Sequence, residues 1–278
     1  MADVKTAAAR PSGAHSAGKA KSSNGFWINL IIVIACIVAG WLIWAYVLGD
    51  SSNFSDPEKH KPLNVWGAMH VSYIIPFLIG MFLVMLVFAL ERTVTIIKAK
   101  GKVNGAEFVR KVQYHLANKN IDAALGECDK QSGSVGNVMK AGLLKYREMT
   151  GNNELNTDQK ILSIQNEVEE ATALELPMLE KNLVFLSTIT SAATLLGLLG
   201  TVVGMITAFQ AMAQSGAPDA TTLAAGISEA LYNTALGIGT SFIAMIAYNY
   251  FTTAIDGVNY SIDESGFTLT QSFAANYK

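Results

Sequence analysis

Charge is scarce in this chain. Only 15% of its 278 residues are Asp, Glu, Lys or Arg, against about 25% in soluble globular proteins. The deficit is local, because the apolar residues collect in long runs, and this excludes an ordinary soluble domain. The net charge of -2 excludes the basic surface that a nucleic-acid partner needs. Cysteine is scarce too: Cys36 lies inside an apolar run and Cys128 in a polar helical region, with no CxxC or Cys/His cluster. A disulfide framework and a zinc or iron site are therefore excluded, and both thiols read as packing residues. The histidines, His15, His60, His70 and His115, are scattered. Without a nucleophile elbow, Walker motif or metal-ligand set, neither an enzyme nor a cofactor is expected. Asp50, Asp56 and Glu58 are too irregularly spaced for a calcium loop and read as solvated charge.

Present instead are four apolar runs long enough to cross a bilayer, at 26–48, 71–97, 181–212 and 223–254. The expected class is an all-α polytopic membrane protein whose long helices extend into a helical cytoplasmic domain. The first run is fringed by Trp27, Trp41, Trp44 and Tyr46, residue types that anchor at membrane interfaces. It is longer than a signal-peptide core, and Val47-Leu48-Gly49 is a poor cleavage site, so a retained anchor is expected. Lys/Arg bias sets the orientation. Lys5, Arg10, Lys19 and Lys21 precede the first run, and Lys98, Lys100, Lys102, Arg110 and Lys111 follow the second. The link at 49–70 has only Lys59 and Lys61, and the turn at 213–222 has none. Residues 1–25 (a disordered tail), the domain at 98–180 and a tail at 255–278 are thus expected in the cytoplasm, and the link and turn in the periplasm.

The cytoplasmic segment reads as helices. Asn104 and Glu107 have capping-box spacing ahead of Phe108, Val112 and Leu116. A short helix around Ala123 and Leu125 should break at Ser132-Gly133, and another from Val138 to Tyr146 should stop at Gly151-Asn152-Asn153. From Thr157, Ile161, Ile164, Val168 and Ala171 keep helical spacing. That helix is expected to run straight into the third span with a kink near Pro177.

The third and fourth runs carry the unusual chemistry. Gly197, Gly200 and Gly204 stand with Thr201 inside an apolar helix, where each glycine costs about 1 kcal/mol unless another helix approaches closely. Ala193, Gly197 and Thr201 form one small-residue row, and Gly200 and Gly204 form another. Ser187, Ser191, Thr194 and Thr201 share a face. A short turn makes the two spans an antiparallel hairpin, with Thr201 and Thr234 each about eleven residues, or about 16 Å, from it. Their hydroxyls should lie at one depth. Glu229, Asn233 and Thr240 make a stripe on the fourth span, and Thr234 and Ser241 an adjacent one. Glu229 and Thr234, five residues apart, point roughly 140° from each other, so the polar face must be broad. A carboxylate in an apolar span is costly and reads as functional. Apart from Glu229, the end pair Glu91/Arg92 and the terminal Lys181, no span contains an Asp, Glu, Lys, Arg or His side chain. If the chain moves protons, a second carboxylate must come from a partner helix.

Gly197-Leu-Leu-Gly-Thr-Val-Val-Gly-Met205, Gly226-Ile-Ser-Glu-Ala-Leu231, Thr234-Ala-Leu-Gly237 and Tyr248-Asn249, in this order and spacing, resemble the signature of the MotA/TolQ/ExbB proton-channel family, most of all its ExbB branch. The resemblance implies an inner-membrane motor subunit of a Gram-negative bacterium, forming a pentamer around a dimer of a single-span ExbD/TolR-like partner that supplies an intramembrane aspartate. Proton flow would drive a TonB-like transducer for outer-membrane import, or a Tol-type system for envelope maintenance. It further implies that Thr201 and Thr234 face that aspartate, that Glu229 is the family's acidic residue on the last span, and that Gly197, Gly200, Gly204 and Gly237 pack helices. Three features depart from the family pattern. Thr194 and Ile243 stand where proline is frequent, and the first span is an addition, expected to pack peripherally because it lacks polar seam residues. The alternatives are a non-conducting oligomeric scaffold and the flagellar stator branch, whose cytoplasmic region is more heavily charged.

Overall fold

The computed structural model describes residues 22–55, 62–214 and 220–277. Most of the tail expected at 1–25, part of the link with Asp56 and Glu58, and the centre of the turn at 213–222 lie outside the described residues. Within them the chain is all-α, and four of its helices are long and apolar enough to cross a membrane.

The helix α1 spans Ser22–Leu42 and passes into a π-helical turn, Ile43–Leu48. The link that follows holds a 3-10 turn, Ser51–Asn53, and a short helix α2, Val65–His70, capped by the Asn64 side chain. Helix α3, Ile75–Lys100, has Pro76 in its first turn, where a missing N–H costs nothing, and ends at Gly101 with φ +77°. Four further helices follow: α4 (Gly105–Ala117), α5 (Ile121–Gln131), α6 (Gly133–Gly151) and α7 (Thr157–Glu180). The third span is α8, Leu183–Gln214, and the fourth is the start of α9, Ala220–Asn276.

Three local expectations change. The spacing at Asn104 gives a cap on the Ala106 N–H, but Glu107 pairs with Lys111 at 2.8 Å. The reciprocal box forms at Asn156 and Gln159 instead. The helix from Thr157 passes through Pro177 but does not run straight into the third span. It continues to Glu180, and the break falls at Lys181 and Asn182, where Asn182 takes φ +68°. Asparagine tolerates this left-handed conformation, and its side chain is held there by Asn29 at 2.7 Å and Glu91 at 3.2 Å. Finally, residues 255–276, expected as a tail, are the last turns of α9. At 1.5 Å per residue its 57 residues measure about 85 Å, against a hydrocarbon core of about 30 Å, so α9 must project far beyond the bilayer.

That projection organises the half of the chain outside the apolar spans. The lower part of α9 packs on α4, α6 and α7, burying Ile262, Leu269 and Phe273 against Val112, Leu116, Leu143 and Ile164. Phe273 meets Tyr146 edge-on, ring centroids 4.9 Å apart. At the junction with the membrane half, the buried Arg92 donates to the carbonyls of Leu179 (2.9 Å) and Met178 (3.4 Å) and to Glu91 (2.7 Å). Phe88 stacks on Phe185 at 4.2 Å just above. In the membrane half, α1 lies on α3 at a glycine crossing, where a Cβ on Gly40 would come within 2.7 Å of the Gly80 nitrogen. Both α8 and α9 are continuous through Thr194 and Ile243.

Candidate functional site

The largest helix–helix contact in the chain is α8 against α9, and its closeness follows from the glycines. A Cβ on Gly237 would sit 2.6 Å from the Ala193 carbonyl and 2.8 Å from the Gly197 Cα. One on Gly200 would sit 2.5 Å from Asn233 Cβ, and one on Gly204 3.1 Å from Ala230 Cβ. Both small-residue rows of α8 therefore face α9 within the same chain, and backbones meet where side chains would hold them apart.

The close approach brings polar groups together along the seam. The Thr201 and Thr234 hydroxyls hydrogen-bond each other, and each is also 3.3 Å from the Gly197 carbonyl. Both threonines are half-buried, so the pair is reachable from the membrane side of the hairpin. Beside it, an open groove of about 620 Å³ runs along α8, lined by Leu198, Val202, Met205, Ile206 and Phe209 as well as Thr201. Lower on α8, Ser187, Ser191 and Thr194 are exposed. On α9, Ser241 donates to the Thr190 carbonyl.

Glu229 is placed elsewhere. With Asn233, one turn on, it faces the junction of α2 and α3, where Ser72 hydrogen-bonds its carboxylate. The Asn233 Nδ2 donates to Ser72 Oγ at 2.9 Å, and Asn233 and Ser72 are 0% and 2% exposed. The broad polar face thus divides into two sites: the hydroxyl pair beside the groove, and a Glu229–Ser72–Asn233 cluster on the α2–α3 side, in which Ser72 and Asn233 are buried and Glu229 is half-buried. Two buried atoms on that side, Asn233 Oδ1 and Thr240 Oγ1, have no hydrogen-bond partner among the described residues.

Sequence reasoning missed Ser72. It sits 161 residues from Asn233, in the bend before α3, and nothing local distinguishes it from an ordinary loop serine. Among the described residues no group of three or more His, Cys, Asp or Glu side chains could hold a metal ion. Cys36 and Cys128 are separate, buried, free thiols.

Residues 131–264 match the sequence model of the MotA/TolQ/ExbB proton channel family. The chain is 32% identical over 124 residues to the Tol-Pal system protein TolQ of Pseudomonas aeruginosa, covering 45% of this chain and 53% of that one. It is 48% identical over 71 residues to the biopolymer transport protein ExbB of Helicobacter pylori, covering 26% and 49%, and 41% identical over 86 residues to TolQ of Haemophilus influenzae, covering 30% and 37%. The chain spans about half the length of the first relatives it matches.

Proposed function

We propose that this chain, which belongs to the MotA/TolQ/ExbB proton channel family by its residues 131–264, is the channel-forming subunit of a proton-driven motor in the inner membrane and not an enzyme. It works as an ExbB-like homopentamer around a single-span ExbD/TolR-like partner, with both termini in the cytoplasm, and passes work to a TonB-like transducer for outer-membrane transport. The observation that carries this reading is the Thr201–Thr234 hydroxyl pair, half-exposed inside an apolar helix hairpin.

A neutral hydroxyl pair can donate to a carboxylate and accept from the protonated acid but cannot itself carry the charge. In a membrane the acid has to come from somewhere, and the spans of this chain offer only Glu229 besides the end residue Glu91. We place the partner's helix in the groove along α8, where an aspartate at the depth of Thr201 would meet both hydroxyls. Glu229, with Ser72 and Asn233, then forms a second station nearer the periplasmic surface. One proton falling through 100 mV releases about 2.3 kcal/mol, so several are needed for mechanical work on a distant receptor.

The test is proton-motive-force-dependent uptake in cells carrying Thr234→Val or Glu229→Gln, with membrane level and complex size measured alongside. Loss of uptake in an intact complex is expected for both. Full uptake in both leaves a non-conducting scaffold. A second reading, a TolQ-like motor for envelope maintenance, is favoured by the identity to the two TolQ proteins. Deleting the gene separates the two: loss of transducer-dependent uptake supports the first, and a leaky envelope with normal uptake the second.

A further inference from the structure

Where α3 and α9 leave their apolar stretches, a cavity of about 630 Å³ opens between the end of α3, the start of α4 and the middle of α9. Its polar lining is Lys100, Lys102, Asn104, Thr253 and Ser261, with Tyr250 at the rim, and no carboxylate faces it. Neither lysine takes part in the ion pairs formed among the described residues. Two ammonium groups are thus left on one wall without an anion.

The wall is built, not loose. Gln131, 2% exposed, accepts from the Val103 N–H at 3.0 Å through its side-chain oxygen. Its side-chain nitrogen donates to the carbonyls of Lys100 (3.1 Å) and Val103 (2.7 Å). The Lys102 N–H donates to the Gln131 carbonyl at 3.0 Å. One buried amide therefore holds the loop that carries both lysines. Gly105, which opens α4, also lines the cavity, adding the positive end of a helix dipole to the same wall.

Above the cavity the surface turns apolar. Ile97 and Val94 lie on the face of α3 one and two turns before the loop, 65% and 52% exposed. On α9, Ile246 stands one turn above Tyr250, 54% and 65% exposed. A ligand that fills this site has an anionic head and a hydrocarbon body. Basic pockets between membrane helices on the Lys/Arg-rich side take phosphate-bearing lipid head groups. We propose that this cavity binds the headgroup phosphate of an anionic phospholipid, with an acyl chain lying along α3 and α9. The inference goes beyond the motor reading and stands whether or not the chain conducts protons.

Native mass spectrometry of the full-length protein, released from micelles with equal phosphatidylglycerol and phosphatidylcholine, tests it. Phosphatidylglycerol should be retained in preference. The double variant K100Q/K102Q should weaken that retention about thirtyfold, on the general value for two lysines at an anionic surface, while K100R/K102R keeps it. Circular dichroism of all three proteins controls for folding. Equal retention by the wild type and K100Q/K102Q overturns the proposal. So does binding of inorganic phosphate in lipid-free detergent that falls in K100Q/K102Q while lipid retention does not, which would assign the lysines to a free ion.

Discussion

The hydroxyls of Thr201 and Thr234 and the carboxylate of Glu229 do different physical work. The first two form a neutral pair that can bridge to an incoming acid; the third is ionisable, half-buried and hydrogen-bonded by Ser72. Cys128 shows what burial does to a titratable group outside the membrane. It is 2% exposed in α5, and burial, with Asp129 adding negative charge nearby, pushes its thiol from 9.0 up to about 12. At pH 8 its thiolate should be about a thousandfold rarer than in the unfolded chain, since three units separate the two values. In a Cys36→Ala background, alkylation at pH 8 should be slower in the folded protein by at least that factor, because access is also blocked. Stability follows the same sign: the folded state favours the protonated thiol, so this contribution is whole below pH 9 and declines as pH rises toward 12. An alkylation rate equal to that of the denatured protein would show that the α5–α6 core opens freely.

At the scale of elements, α8 and α9 are a pair because glycines remove the side chains that would separate them. At Gly237 backbone meets backbone, with the Ala193 carbonyl and the Gly197 Cα closer than 3 Å to the place a Cβ would take. Gly237→Val must push two backbones apart. Overpacking of this kind costs about 1–3 kcal/mol, and here it should also part Thr201 from Thr234. A lower thermal midpoint in detergent is expected, while Gly239→Val, where a Cβ meets nothing within 4 Å, should leave the midpoint nearly unchanged. Equal melting of the two variants would mean that the seam is held by something other than close approach. The α7–α8 break makes a complementary point. Pro177 removes a backbone donor without ending the helix, whereas Asn182 ends it because Asn29 and Glu91 hold its side chain in place.

Over the whole molecule, two bodies share one helix. The apolar hairpin and the bundle of α4, α6 and α7 are joined through α9, which runs unbroken from one into the other. The first helix stands outside this arrangement. It rests on α3 at Gly40 and Gly80 and touches the α7–α8 junction through Asn29, while Phe26, Trp27, Ile31, Ile34 and Val38 point outward, each at least half exposed. Deleting residues 1–50 should therefore leave the number of subunits in the assembled complex, read by light scattering, unchanged. Collapse to monomers would place α1 in the subunit interface and overturn its peripheral role.

How much of this was legible from residue order divides along a physical line. Helical class, the four spans and the equal depth of Thr201 and Thr234 follow from local periodicity and the constant rise of a helix, because axial position is a matter of counting. Rotation about the axis and the choice of partner are not. The division of the polar face into a Thr201–Thr234 side and a Glu229–Ser72–Asn233 side depends on how the glycines seat α8 against α9 and on a loop serine brought in from far along the chain. The break at Asn182 likewise needs Asn29 and Glu91, which meet only once α1 and α3 have packed. Residue order settles what is apolar, what is helical and at which depth; which polar groups face one another follows from packing, since pairing inside a membrane is set by the helix faces that close approach turns inward.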